Sequence, residues 1–337
     1  MSGRPMLRLL AAGAGARLAY AALTRQQPGG EKTWTRMNHR GEQVTLLEGP
    51  AVAAGAAAAA LAAPGLDGGE RLALALAGLG AGAFGCYDDL SGTGDRRGFR
   101  GHLGALASGE LTTGAVKIAG IGAVGLATAA LLSRRGIGDL IPDGAGARAA
   151  GKAGARAVRS SSAAGQAVDV VINAGLVAGG ANLLNLFDLR PGRAIKVSLL
   201  ASLALAPGGR TARAAAAAPV GAAMALLDED LGERAMLGDA GANALGAMLG
   251  VAAASSLSRP ARLAALTGVA ALTAASEKVS FTKVIARTPA LRWLDMLGRR
   301  PADIPAVADP GSRPEGGVPL DRGVTEQSES AGAPRQR

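Results

Sequence analysis

The chain repeatedly runs for long stretches without a charged residue. Eight such stretches are Gly49–Leu66, Leu72–Tyr87, Ile118–Ser133, Val171–Phe187, Val197–Gly209, Ala214–Leu227, Ala240–Ser258 and Leu263–Ser276. A bilayer-spanning helix needs ~20 mostly apolar residues, with a range of ~17–25. Several of these stretches reach that length only if flanking Lys or Arg side chains snorkel to the interface. Hydrophobic residues make up 49% of the chain but aromatics only 2%, and 51 of its 337 residues are glycine. A water-soluble core uses more bulky side chains than this. Small residues suit helices that approach closely within lipid. The start, MSGRPMLRLLAAGAGARLAYAAL, has the basic flank of a signal peptide. Arg17 interrupts its apolar run and no convincing cleavage site follows, so it reads as a first membrane helix, with a signal anchor as the alternative. The expected fold is all-α: a polytopic integral membrane helical bundle of about nine to ten transmembrane helices, spanning residues 1–298. A disordered polar tail is expected over residues 299–337.

The net charge is +10, and the basic residues are scattered rather than interleaved with aromatics. That pattern points to anionic headgroups as the partner surface and away from nucleic acid. Cys86 is the only cysteine, which excludes an intrachain disulfide. The Gly/Ala/Arg/Ser-rich segment 134–162 reads as a flexible loop. With nine alternating spans, segments 24–48, 88–112, 188–196 and 228–239 share one face with the C-terminal tail. Loop bias makes this face cytoplasmic and the protein a multi-pass plasma-membrane protein. The 134–162 loop, on the opposite face, carries Arg134, Arg135, Arg148, Lys152, Arg156 and Arg159. Long loops can translocate in spite of such charge.

Three polar motifs adjoin spans on the shared face. GCYDDLSG carries Asp88 and Asp89, NLLNLFDLRPGR carries Asn182, Asn185 and Asp188, and MLGDAGANALG carries Asp239 and Asn243. Asn182, Asn185 and Asp188 are spaced three apart, which aligns them along one side of a helix. Taken singly, each motif has a plain structural reading: a solvated helix end, interhelical amide bonding, or a helix N-cap. Together they offer carboxylates and amides at a membrane surface, an all-oxygen environment suited to Mg²⁺. Two histidines and one cysteine give little for a zinc or copper site.

In this order and spacing, the motifs resemble those of the polyprenyl-phosphate N-acetylhexosamine-1-phosphate transferases. That superfamily includes the phospho-N-acetylmuramoyl-pentapeptide transferases. The similarity spans roughly residues 30–280, with NHRGEQVTLLEGPA similar in place to the family's early cytoplasmic loop. The resemblance implies that a polyprenyl phosphate attacks the β-phosphorus of a UDP-sugar, giving a lipid diphosphate-sugar and UMP. It implies Mg²⁺ as cofactor, held by Asp239 and Asp88. Asp88, Asp89 and Asp188 become the candidate catalytic residues. Asn182, Asn185, Lys117, Asn243 and Lys278 become candidate substrate contacts, with a homodimer as the candidate assembly.

The chain also departs from the family pattern. Leu189 and Pro191 stand where the family has Gly and its second Asp, and Ala242 replaces a Ser. The family's histidine-rich loop near the C-terminus has no counterpart, since His39 and His102 lie far upstream. The equivalent region reads SEKVSFTKVIARTPALRWLDMLGRR. There Glu277, Lys278, Ser280 and Lys283 are a candidate polar replacement, and Leu291–Leu297 reads as an amphipathic surface helix. These losses motivate an alternative: a catalytically inactive relative that binds lipid phosphate or scaffolds envelope enzymes.

Overall fold

A computed structural model describes residues 3–91, 112–138 and 163–301. The chain opens with α1 (Gly3–Gln26) and the short α2 (Glu31–Trp34), followed by a hairpin of β1 (Thr35–Met37) and β2 (Gln43–Thr45). Then come α3 (Glu48–Leu61), α4 (Gly68–Ser91), α5 (Thr113–Gly138), α6 (Ala163–Phe187) and α7 (Arg193–Leu205). The remaining helices are α8 (Gly209–Leu231), α9 (Gly238–Ser256), α10 (Arg259–Ser276), α11 (Phe281–Arg287) and α12 (Pro289–Met296). The all-α expectation holds, and all eight charge-free stretches lie largely on helices. Among the described residues three helical segments are long and apolar enough to cross a membrane: Met6–Gln26, Thr113–Ser133 and Ala163–Phe187. α3 and α7 have only 14 and 13 residues. α9 has 19, but these are mostly alanine and glycine, which add little hydropathy each. Helix α5 runs to Gly138, past the expected start of a loop at Arg134. Residues 139–162 of that loop, the 92–111 part of the second polar segment, and the tail from 302 lie outside the described residues.

α9 is the central helix. It packs against α3, α4, α6 and α8, and nearly all its residues are buried. The stripe Gly238, Ala242, Gly246, Gly250 repeats every four residues and so stays on one side of the helix. A Cβ on Gly246 would sit 2.1 Å from the Gly180 carbonyl of α6. A Cβ on Gly85 of α4 would sit 2.3 Å from the Asp239 carbonyl. Only glycine permits either approach. Dispersion over these close backbones, rather than bulky side chains, holds the helices together. At the other extreme, α10 buries none of its residues although its sequence is rich in Leu, Val and Ala.

The hairpin is shaped by its own turn. Asn38 accepts the Arg40 and Glu42 amides through Oδ1, at 2.8 and 2.9 Å, while Gly41 takes φ 81°. Its second strand then meets the loop before α9: the Met236 amide donates to the Thr45 carbonyl at 2.9 Å. The N-terminal polar segment thereby fixes the approach to Asp239.

Candidate active site

The site begins where α4 meets α9. Because Gly85 lets the two backbones touch, the end of α4 reaches the first turn of α9. Asp89 accepts the Asp239 amide through Oδ1 at 3.1 Å and the Ala240 amide through Oδ2 at 3.0 Å. A carboxylate there satisfies otherwise unpaired N–H groups and complements the helix dipole. Arg36 of β1 donates to the Asp89 carbonyl at 2.6 Å. Asp89 therefore positions α9 and, with it, Asp239.

Asp88, the neighbouring residue, has another partner. Lys117, one turn into α5, pairs through Nζ with Asp88 Oδ2 at 2.5 Å and also with Asp239 Oδ2. All three side chains are mostly buried. Burial raises the Asp88 pKa, but hydrogen bonds with Lys117 and Asp239 outweigh it and hold the carboxyl below its usual value. Desolvation pushes Asp239 up, helped by the Asp88 charge and opposed by Lys117. Two carboxyls that share one ammonium titrate as a pair. Asp89 is pushed up to about 7, by desolvation first and then by the Asp239 charge, against the two amides it accepts.

A second group of acids lies beside the first. Asp188 directly follows α6, and the chain turns there through Gly192 at φ 70°. The Gly192 amide donates to Asp230 Oδ2 at 3.0 Å. Desolvation pushes Asp230 up to about 7 and drives Asp188 upward, aided in the latter by the charges of Asp230, Asp239 and Asp89. Glu48, at the start of α3, is fully buried, and neither carboxylate oxygen has a hydrogen-bond partner. Desolvation and the Asp230 and Asp188 charges raise its pKa strongly. Asp188 and Asp230 line a cavity of about 790 Å³ with Asn38, His39, Arg190 and Glu233.

Lys117 also opens onto a different cavity, of about 470 Å³. Its polar lining includes Asn182, Asn185, Asn243 and Glu277, and its apolar lining Ile118, Ile121, Leu266 and Val269. Asn243 is 1% exposed and its Nδ2 has no hydrogen-bond partner. Asn182 donates to Thr273 Oγ1 of α10 at 3.4 Å, so it serves as an interhelical link as well as a lining residue.

Farther along the same face, Arg193 at the start of α7 grips Asp295 of α12. Its Nε and Nη2 donate to the two carboxylate oxygens at 2.7 and 3.0 Å. Arg299 pairs with the same carboxylate at 2.9 Å, and Lys196 donates to the Asp295 carbonyl at 2.8 Å. Phe187 and Phe281 stack nearby with ring centroids 5.0 Å apart.

The structure thus joins Asp88, Lys117 and Asp239 directly, with Asp89 behind them. Asp188 adjoins this group, and Asn182, Asn185 and Asn243 line the cavity beside it. Lys278 is exposed and absent from that lining, whereas its neighbour Glu277 takes part. Ser280 caps α11 by accepting the Lys283 amide at 3.4 Å. Sequence reasoning passed over Glu48 and Asp230. The signal for Glu48 is a lone acid at the head of an uncharged run, and for Asp230 the acidic run LDEDL before the GDAG motif.

The donors fit Mg²⁺ in kind, being hard carboxylate oxygens. Among the described residues no group of three His, Cys, Asp or Glu side chains is arranged to hold a metal. Mg²⁺ commonly binds through one or two carboxylates and completes its shell with water and phosphate. Asp88 and Asp239 meet that requirement, and the Lys117 ammonium between them marks where a cation is favoured. No protein-family model matches the chain, and no curated protein matches it.

Proposed function

We propose that the protein transfers a sugar-1-phosphate from a UDP-sugar to a polyprenyl phosphate, making a lipid-linked cell-envelope precursor. We place this at the cytoplasmic face of the plasma membrane, in a multi-pass bundle of about nine to ten spans. The observation that carries the reading is the meeting of Asp88 and Asp239 on Lys117, which itself lines a cavity with an apolar wall. A lipid phosphate needs a cation for its head and an apolar path for its chain, and Lys117 with Ile118, Ile121, Leu266 and Val269 supplies both. The three motifs that resemble the transferase family contribute most of the polar groups.

In this reading Lys117 draws the acceptor phosphate toward the donor's β-phosphorus. An acceptor oxygen forms the new P–O bond as the bond to UMP breaks. A lipid phosphate is already ionised near neutral pH, so Asp88 orients it through Lys117 and a strong base is not required. Asp239 and Asp88 would hold Mg²⁺, which when bound offsets the charge gathering on the diphosphate. Asp89 keeps Asp239 in place by holding the start of α9. Asn185 and Asp188 would contact the nucleotide or support the metal. The test is UMP release from purified protein with undecaprenyl phosphate, Mg²⁺ and a panel of UDP-sugars, including UDP-GlcNAc and UDP-MurNAc-pentapeptide. Release is expected with at least one donor, and none across a broad panel overturns the reading.

A second reading is a catalytically silent relative that binds lipid phosphate. Its motivation is the missing histidine loop, Pro191, and a Lys117 that already pairs with both Asp88 and Asp239. In cells lacking the protein, Asp88→Asn and Asp239→Asn chains that complement as well as the natural chain would favour this reading.

A further inference from the structure

The last two helices are turned inside out for a protein surface in water. In α12, Asp295 faces the protein and is 9% exposed, while Trp293 faces away and is 68% exposed. Leu291, Met296 and Leu297 are exposed as well, at 44, 42 and 52%. A helix lying on a soluble protein buries its apolar side. Here the polar side is turned inward, because Arg193, Lys196 and Arg299 all bond to Asp295. The apolar side is left outward. Val279 and Val284, before and within α11, are exposed at 45 and 41%, and α10 just upstream buries none of its residues. Leu263 and Leu272 of α10 are exposed as well, at 46 and 44%.

This surface also carries charge in a particular place. Between α11 and α12 lies an open cavity of about 590 Å³, lined by Arg287, Arg292, Trp293, Met296 and Leu297 among others. Among the described residues neither arginine has an ion-pair or side-chain hydrogen-bond partner. Two unpaired guanidiniums beside an outward tryptophan and leucines match the layered chemistry of a phospholipid leaflet. Guanidiniums chelate phosphate, indoles favour the headgroup level, and leucines enter the acyl boundary.

We infer that α11 and α12 lie in the headgroup layer of an anionic phospholipid bilayer, with Arg287 and Arg292 taking lipid phosphates and Trp293 seated among the upper acyl carbons. Charge complementarity, two unpaired guanidiniums set beside outward apolar side chains, selects bilayer phospholipid as the occupant. Asp295 then links this seat to Arg193, five residues beyond Asp188, so the lipid contact steadies the turn that carries Asp188. The lipid contact holds whatever chemistry the site performs.

The experiment uses the full chain in nanodiscs. Trp34→Phe leaves Trp293 as the sole tryptophan, and a difference spectrum between the natural chain and Trp293→Phe gives the same signal if Trp34→Phe misfolds. Trp293 emission is expected to be quenched by phosphatidylglycerol brominated near the top of its chains and protected from aqueous acrylamide. Brominated phosphatidylglycerol, diluted into unlabelled phosphatidylcholine, should quench at a lower fraction than brominated phosphatidylcholine does. In Arg287→Gln and Arg292→Gln chains that preference should fall about fivefold per arginine. Free access of acrylamide to Trp293 would overturn the inference. So would equal quenching by the two brominated lipids in the natural chain. Shielding from both quenchers would assign the surface to a protein partner and reject the bilayer.

Discussion

Two clusters of charge lie on one face of the helices and are built on opposite plans. Around Asp88 and Asp239 two carboxylates share one ammonium, that of Lys117, with the carboxyls of Asp89, Asp188, Asp230 and Glu48 nearby. Around Asp295 one carboxylate is shared by Arg193 and Arg299, with Lys196 on its carbonyl. The second cluster is complete in itself, because every oxygen of Asp295 has a donor. The first is short of positive charge, and burial, reinforced by neighbouring acids, drives two of its carboxyls up to about 7. A buried excess of one sign persists only if protons, metals or ligands relieve it. The contrast separates a lock, which is balanced within itself, from a cluster whose surplus of acids leaves room for protons, a metal or a ligand.

Substitutions put this distinction at risk in descending order of effect. Asp239→Asn, measured as UMP release under saturating Mg²⁺, is expected to lose on the order of 10³-fold in rate, or about 4 kcal/mol of barrier. A loss within tenfold would move the site elsewhere. Asp295→Asn leaves two buried guanidiniums short of a counter-charge and should cost about 3–5 kcal/mol, read as a fall in Tm that added Mg²⁺ does not restore. Lys117→Gln should cost somewhat less, about 2–3 kcal/mol, since its partners retain some contact with water. Here added Mg²⁺ is expected to recover most of the lost Tm. If Mg²⁺ rescues Asp295→Asn as well as Lys117→Gln, the two plans are not distinct.

A further effect concerns pH. Asp230 holds its proton more tightly in the folded chain, up to about 7, than in the unfolded one. Its contribution to stability is therefore full below about pH 4 and is lost as pH rises through 7. Asp230→Asn keeps an acceptor for the Gly192 amide but cannot ionise. It should be more stable than the natural chain at pH 8 and no more stable at pH 4. A Tm series across that range checks the crossover.

The helices were legible because charge-free stretches leave few other options, and the stretches lie on helices almost residue for residue. The number that cross a membrane was less legible. Alanine and glycine in α4 and α9 contribute packing rather than hydropathy, so among the described residues length and composition alone single out three segments. The three polar motifs were visible as pieces, and they do come together. What their order did not reveal was the division of labour between Asp88 and Asp89. That depends on two amides of α9, some 150 residues away. Arg193 and Asp295, 102 residues apart, pair through a contact that no local pattern encodes.

The glycine at position 85 has a consequence for anyone who alters this protein. Between its Cα and the Asp239 carbonyl there is no room for even a methyl group. The separation of the two acidic motifs thus depends on an absent atom as well as on the Asp89 carboxylate. Gly85→Ala would leave every charge in the chain untouched and still push α4 from α9, widening the Asp88–Asp239 gap that Lys117 now spans. A mutational screen that scores only ionisable positions would overlook the residue that calibrates them.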